Sequence, residues 1–194
     1  MDQTLSITAL AEIRVGFLSR KPLDNDVNGS THLLQMRDLD TSGYFNYKTA
    51  LQTNLDPKEL ARFAVKEADI LLMNRSEPIR AALITNPPPN TLASAHFFII
   101  RPISNEVIPA FLARILNQLY AQNYFRKYLA GTSVKMLTMK SLEQLKIAIP
   151  PIAIQEKIIH LEQLNYRHKK LSQQLQQKID LLIKHVSSGQ ISKN

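Results

Sequence analysis

The residues best suited to chemistry in this 194-residue chain are five histidines and a scatter of arginines, asparagines and hydroxyls. His160 and His168 stand eight residues apart in a helix-compatible stretch. They are two turns from each other and cannot share a metal ion. No pair has the His-x-x-x-His spacing and the chain has no Cys. That combination argues against a transition-metal site and excludes a cysteine nucleophile, a zinc ribbon and a disulfide scaffold. His32 and His96 fall in strand-like runs, where a hydrogen-bonded structural histidine is the expected role. No metal and no cofactor is expected.

The run Asn86-Pro87-Pro88-Pro89 invites comparison with the Asn-Pro-Pro-aromatic motif of adenine methyltransferases, in which a ring stacks on the flipped base. Here the fourth position is Pro89, which has no ring, and a rigid turn between two strands is the better reading. Glycines at 16, 29, 43, 131 and 189 never cluster, so no loop can cradle a phosphate or a cofactor. No nuclease pattern of Asp followed by Glu-x-Lys occurs either. These absences argue against an enzyme.

Charge points elsewhere. The chain carries 24 Lys and Arg against 16 Asp and Glu, a formal net charge of +8. The excess is local: between Arg126 and Lys146 there are five basic residues (Arg126, Lys127, Lys135, Lys140, Lys146) and one acid, Glu143. Within that stretch lies Gly131-Thr132-Ser133, whose hydroxyls and N–H groups suit phosphate oxygens. A second basic group, Arg14, Arg20 and Lys21, flanks Gly16. A third, Asn74-Arg75-Ser76 followed by Arg80, comes just after a strand-like run. Arg and Asn are the side chains that make paired contacts to guanine and adenine edges. Any one group is explained as a solvated face; together on loops they suggest an anionic, nucleic-acid partner.

The elements that position these groups read as two parts. Residues 1–149 look mixed α and β, with strands expected at Leu33–Met36, Ile70–Met73, Ala81–Ile84, Ala95–Ile100 and Lys146–Ile149. One helix is expected over Val107–Ala130, with Pro109 in its first turn and Gly131 past its end. Phe111, Leu112, Ile115, Leu116, Leu119 and Tyr120 would form its buried face. Pro150-Pro151 marks the boundary, so residues 150–194 form the second part. From Ile152 to about Ser187 there is no Pro and no Gly, and one continuous helix is expected. Its stripe is Leu161, Leu164, His168, Leu171, Leu175, Ile179, Leu182 and Val186. The stripe repeats about every 3.57 residues, between coiled-coil and straight-helix values. At about 54 Å, such a helix outreaches the small domain before it, so its stripe needs a partner helix. No apolar run approaches the roughly 20 residues of a membrane helix. No signal-peptide pattern opens the chain, and a Cys-free chain suits a cytoplasmic setting.

The order of segments resembles the specificity (S) subunit of type I restriction–modification systems. The resemblance is carried by Glu12-Ile13 with Gly16, by Leu33-Leu34-Gln35-Met36-Arg37-Asp38-Leu39-Asp40, and by Ala68-Asp69-Ile70-Leu71-Leu72-Met73-Asn74-Arg75-Ser76. Its end carries most: Gly131-Thr132-Ser133, Leu142, Leu145, then Ile147-Ala148-Ile149-Pro150-Pro151-Ile152-Ala153-Ile154-Gln155 and Ile158. Ala68 stands where the family usually has Gly.

The resemblance implies an α+β protein, a mixed α/β target-recognition domain followed by a long C-terminal dimerisation helix. It implies no catalysis, binding of double-stranded DNA, and docking of the methyltransferase (M) subunit and in some systems a restriction (R) subunit. Family members pair two recognition domains through antiparallel helices; one domain and one helix here resemble half of such a subunit, expected to pair as a homodimer. Recognition domains differ most where they touch DNA, so contacts are expected from residue type and position: Arg20, Lys21, Arg75, Ser76, Thr132, Ser133, Lys135 and Lys140. The competing reading is a coiled-coil interaction protein, a degenerate half-subunit that binds the same protein partners but no DNA.

Overall fold

In the computed structural model, residues 3–40, 43–130 and 136–191 are described. Strand β1 (Gln3–Ser6) leads through a single turn, α1 (Ile7–Leu10), into β2 (Ala11–Val15). Then come β3 (Thr31–Leu34), β4 (Leu51–Thr53), helix α2 (Pro57–Phe63), β5 (Ile70–Met73), β6 (Ala81–Leu83), β7 (Thr91–Ala93) and β8 (Phe97–Pro102). Helices α3 (Pro109–Leu116), α4 (Leu119–Ala130) and α5 (Met139–Glu143) precede β9 (Lys146–Ile149) and the final helix α6 (Ile152–Ile191). Contacts divide the chain into two compact units, Met1–Gln155 and Glu156–Asn194.

Among the described residues the first unit holds three sheets, ordered β2-β8-β5-β6, β4-β3-β7 and β1-β9. Ile70-Leu71-Leu72-Met73 is apolar at every position because β5 lies inside its sheet and is buried on both faces. Leu71, Met73, Phe97 and Ile99 share a core with Leu34, Leu39 and Ile84. β1 and β9 pair antiparallel from Gln3 opposite Ile149 to Ser6 opposite Lys146, so the two ends of this unit close on each other. Local signals start the helices. Asp56 caps α2 by accepting from Lys58 N at 2.7 Å, and Pro57 fills the first position, where no donor is needed. Asn86 and Asn90 adopt positive φ (48° and 56°) on either side of the three prolines, which form a turn between β6 and β7. Ala68 is also left-handed, with φ 68°.

Two strands, Ile70–Met73 and Lys146–Ile149, lie where the sequence places them. Others shift: Leu33–Met36 becomes Thr31–Leu34, Ala95–Ile100 becomes Phe97–Pro102, and Ala81–Ile84 ends at Leu83. The single helix expected over Val107–Ala130 is two. Asn117 and Gln118 interrupt it, and Asn117 Nδ2 bonds the carbonyls of Ala113 and Ala81 at 2.9 and 2.8 Å. Past that break the apolar phase changes. Phe111, Leu112 and Leu116 are buried as expected, but Leu119 and Tyr120 are exposed, at 68% and 63%.

Gln155 anchors the start of α6. It is fully buried, accepts at Oε1 from Ile108 N (2.9 Å), and donates from Nε2 to Glu106 O (2.7 Å) and Pro150 O (2.8 Å). Helix α6 runs unbroken for 40 residues, through Asn165–His168 without interruption. Its stripe is open within the chain: Leu161, Leu164, Leu171, Leu175, Ile179 and Leu182 are 40–67% exposed. His168 is exposed too, whereas the side chain of Val186 lies outside the described residues. No helix among the described residues is long and apolar enough to cross a membrane.

Candidate nucleic-acid interface

One end of the four-stranded sheet gathers most of the loops that carry charge. The register sets Val15 opposite Phe98 and Met73 opposite Phe97, so β2 and β5 end where β8 begins. The segments leaving that rim are held together through backbone groups. Phe17 N donates to Ala93 O (2.7 Å), and Ala95 N donates to Phe17 O (2.8 Å). Asn74 N donates to His96 O (2.9 Å), and Leu137 N donates to Asn74 O (2.7 Å). Asn74 itself is buried and directs Nδ2 to Ala95 O at 2.7 Å. It shapes the rim and presents no edge to a ligand.

Arg75, next in sequence, is exposed, with Nη2 3.5 Å from Met136 Sδ. The loop after β5 and the segment entering α5 are therefore neighbours. Ser76 closes its own loop by donating to Pro78 O at 2.8 Å. Lys140 is exposed on α5, whose start is capped by Thr138 accepting from Ser141 N at 3.1 Å. Arg20 and Lys21 are exposed on the segment that follows the Phe17 bridge to Ser94. The structure thus brings Arg75 and Ser76 beside the 136–140 segment. No described contact joins Arg20 or Lys21 to them. Thr132, Ser133 and Lys135, with Gly131, lie outside the described residues.

Arg14 is the clear correction. Its guanidinium donates to Ala64 O (2.8 Å) and Arg62 O (3.1 Å), holding the C-terminal end of α2. Burial, then the charge of Arg101, pulls its pKa below the ordinary arginine value. It is a framework residue. Arg80 is likewise engaged, donating to Asp40 O at 3.1 Å. His96 also departs from expectation. It is an exposed residue in the turn before β8, and its pKa is lowered by partial burial first and by Arg75 second. His32 does lie in β3, but its Nδ1 is buried with no hydrogen-bond partner among the described residues.

Sequence reasoning missed Arg37 and Lys48. Two short 3₁₀ turns, Met36–Asp38 and Tyr47–Thr49, set them in one cleft with Asn25, Thr49 and Gln52. Asp38, between them in the fold, is buried and turned inward, accepting from Gln35 N and Thr49 Oγ1. Among the described residues no ion pair joins it to Arg37 or Lys48. Arg37 stood in the segment Leu33–Asp40 that carries the family resemblance, but nothing in the sequence pairs it with a lysine eleven residues on. Among the described residues, no group of three or more His, Asp or Glu is placed to hold a metal ion.

An α+β unit followed in the chain by a long helix is also found in known proteins. The chain belongs to the family described as the type I restriction modification DNA specificity domain, which matches residues 10–181. Three solved structures are similar in fold. One comes from a study of complex assembly and conformational transition of the type I restriction–modification system. It aligns with a TM-score of 0.62 at 17% identity, over 88% of this chain and 40% of that one. The HsdS subunit from Thermoanaerobacter tengcongensis gives 0.59 at 16% identity, over 89% of this chain and 39% of that one. The S subunit of a type I system from M. genitalium gives 0.55 at 14% identity, over 88% and 42%. The chain therefore spans about two-fifths of the length of the solved chains it matches. No curated protein sequence matches it.

Proposed function

We propose that this chain is a non-catalytic, sequence-specific DNA-recognition subunit of a type I restriction–modification system, acting in the cytoplasm. Membership of the specificity family supports the class. The observation that carries the site is the rim, where Arg75 stands exposed beside the 136–140 segment, next to Asn74, which bonds His96 and Leu137 through its backbone and Ala95 O through its side chain. On this reading Arg75 reads a base edge from the tip of that loop, with Ser76 fixing the loop's shape. Arg20, Lys21 and Lys140 meet phosphates, as do Thr132, Ser133 and Lys135 in the segment between α4 and Met136.

The open stripe of α6 supports pairing with the same helix of a second chain, since six large apolar side chains at helical spacing are otherwise left in water. Two identical chains most often close as a two-fold dimer. The site read is then an inverted repeat with an unread spacer, on which M and, where present, R subunits are recruited. The domain division at Pro150-Pro151 belongs to the same proposal, with recognition before it and pairing after it.

Selection of bound duplexes from a random pool, followed by titration against salt, tests this. A gapped inverted repeat is expected, with log K falling by about 0.9 per neutralised phosphate as log salt rises. No duplex binding at any salt, with M subunit still captured, would establish the interaction-protein reading instead.

A further inference from the structure

The loop that carries Arg75 is gripped from behind by two side-chain amides at the break between α3 and α4. β6 is an edge strand, paired on one side with β5. Met73 N donates to Arg80 O (2.9 Å), so the alternation of an antiparallel pair turns the N–H and C=O of Ala81 outward, to the unpaired side. Asn117 takes both. Its Oδ1 accepts from Ala81 N at 3.0 Å and its Nδ2 donates to Ala81 O at 2.8 Å. One side chain thereby imitates the next strand. One turn on, Gln122 Nε2 donates to Ile79 O at 2.7 Å and to Leu116 O at 2.8 Å. The other end of the loop is fixed at Asn74, whose N, O and Nδ2 are all bonded. Only Arg75, Ser76, Glu77 and Pro78 project between these anchors, and Ser76 closes on Pro78.

We propose that Asn117 and Gln122 are positioning residues for sequence discrimination, holding the 75–78 tip so that Arg75 meets one base edge in one geometry. The proposal rests on the DNA-reading function above. A loop anchored at both ends loses little freedom on binding. Discrimination by a bidentate arginine depends on such pre-organisation, because a swinging arginine finds a phosphate beside every base. The contacts to Ala81 and Ile79 carry no charge and are directed at backbone, so they bear on geometry and leave phosphate attraction unchanged.

The test uses the full chain and a duplex selected from a random pool, with the ratio of selected to random-duplex affinity as the readout. Asn117→Ala and Gln122→Glu, which cannot donate to Ile79 O, are each expected to lower that ratio about tenfold, the scale of one mismatched base pair. Random-duplex affinity should stay within the shift expected from charge alone. Gln122→Lys keeps a donor for Ile79 O and should restore the ratio, although its charge raises affinity for every duplex. An unchanged ratio in folded Asn117→Ala and Gln122→Glu overturns the proposal, and so does an equal loss in Gln122→Lys. If the variants fail to fold, the wild-type Ala81 amide decides the matter: slow hydrogen exchange is expected and rapid exchange overturns the proposal. Wild-type chain with no preferred duplex, or Arg75→Ala with full preference, overturns the DNA-reading assignment itself. Loss in Arg75→Ala with none in the amide variants overturns the positioning role alone.

Discussion

Arg101 and Asp69 face each other as a two-pronged ion pair, Nε to Oδ1 and Nη2 to Oδ2, both at 2.7 Å. Asp69 is 1% exposed and also accepts from Lys66 N at 2.8 Å. This one carboxylate joins β8 to the turn that launches β5. Asp69→Ala leaves a half-buried guanidinium and a backbone donor unpaired, and a loss of about 3 kcal/mol is expected. Denaturant unfolding measures it; a midpoint within experimental error of wild type contradicts the assignment.

His96 gives a pH dependence with a defined sign. Partial burial and then Arg75 hold its pKa below the ordinary value. The fold therefore favours the neutral ring, and the stability it contributes is present above about pH 6.5 and fades as pH falls. A bound phosphate favours the charged ring instead. DNA affinity should accordingly rise as pH drops from about 8 to about 6. His96→Gln should flatten the profile, and Arg75→Ala should shift it to higher pH. A flat wild-type profile, followed by fluorescence anisotropy, sinks the prediction.

Arg37 and Lys48 line one cleft whose described lining residues include no Asp or Glu. Replacing both with Ala should weaken binding to selected and random duplexes alike and reduce the salt slope by about 0.9 for each phosphate lost. Lys58→Ala, an exposed lysine on α2 outside that cleft, serves as the control. A loss confined to one base position would instead make the pair readers of sequence.

Helix α6 supplies the fourth expectation. Leu171 and Leu175 are 65% and 60% exposed within the chain, one turn apart. Leu171→Asp or Leu175→Asp places a carboxylate in the proposed seam without touching the first unit. Sedimentation should show dimer for the wild type at micromolar concentration and monomer for either variant, with thermal unfolding of the first unit unchanged. A wild-type monomer would remove the homodimer.

What the sequence disclosed follows from how local each signal is. Ile70–Met73 was legible because a strand buried on both faces is apolar throughout, and α6 because forty residues without Pro repeat a periodic stripe. The break at Asn117 was not legible. Its cause is a side-chain bond to Ala81, 36 residues away, and no window along the chain contains both partners. Arg14 shows the same limit at the site. By composition it belongs with Arg20 and Lys21, yet the carbonyls of Arg62 and Ala64 at the end of α2, about fifty residues on, take its guanidinium. Charge could be counted from sequence. Which charges remain free could not, because that depends on the long-range partners of each.

A Cβ placed on Gly16 would stand 2.3 Å from Ser94 O and 2.5 Å from Ala93 O. Those are backbone atoms of the last residue of β7 and of the turn that leads from it to β8 in the other sheet, so they cannot step aside. The two sheets are welded at a point too narrow for a methyl group. The 18–30 stretch that follows is tied down in its turn, with Asp26 N donating to Gln52 O and Asn54 Nδ2 donating to Asp26 Oδ2. Only a residue without a side chain lets the two sheets meet this closely, and Gly16→Ala would force them apart.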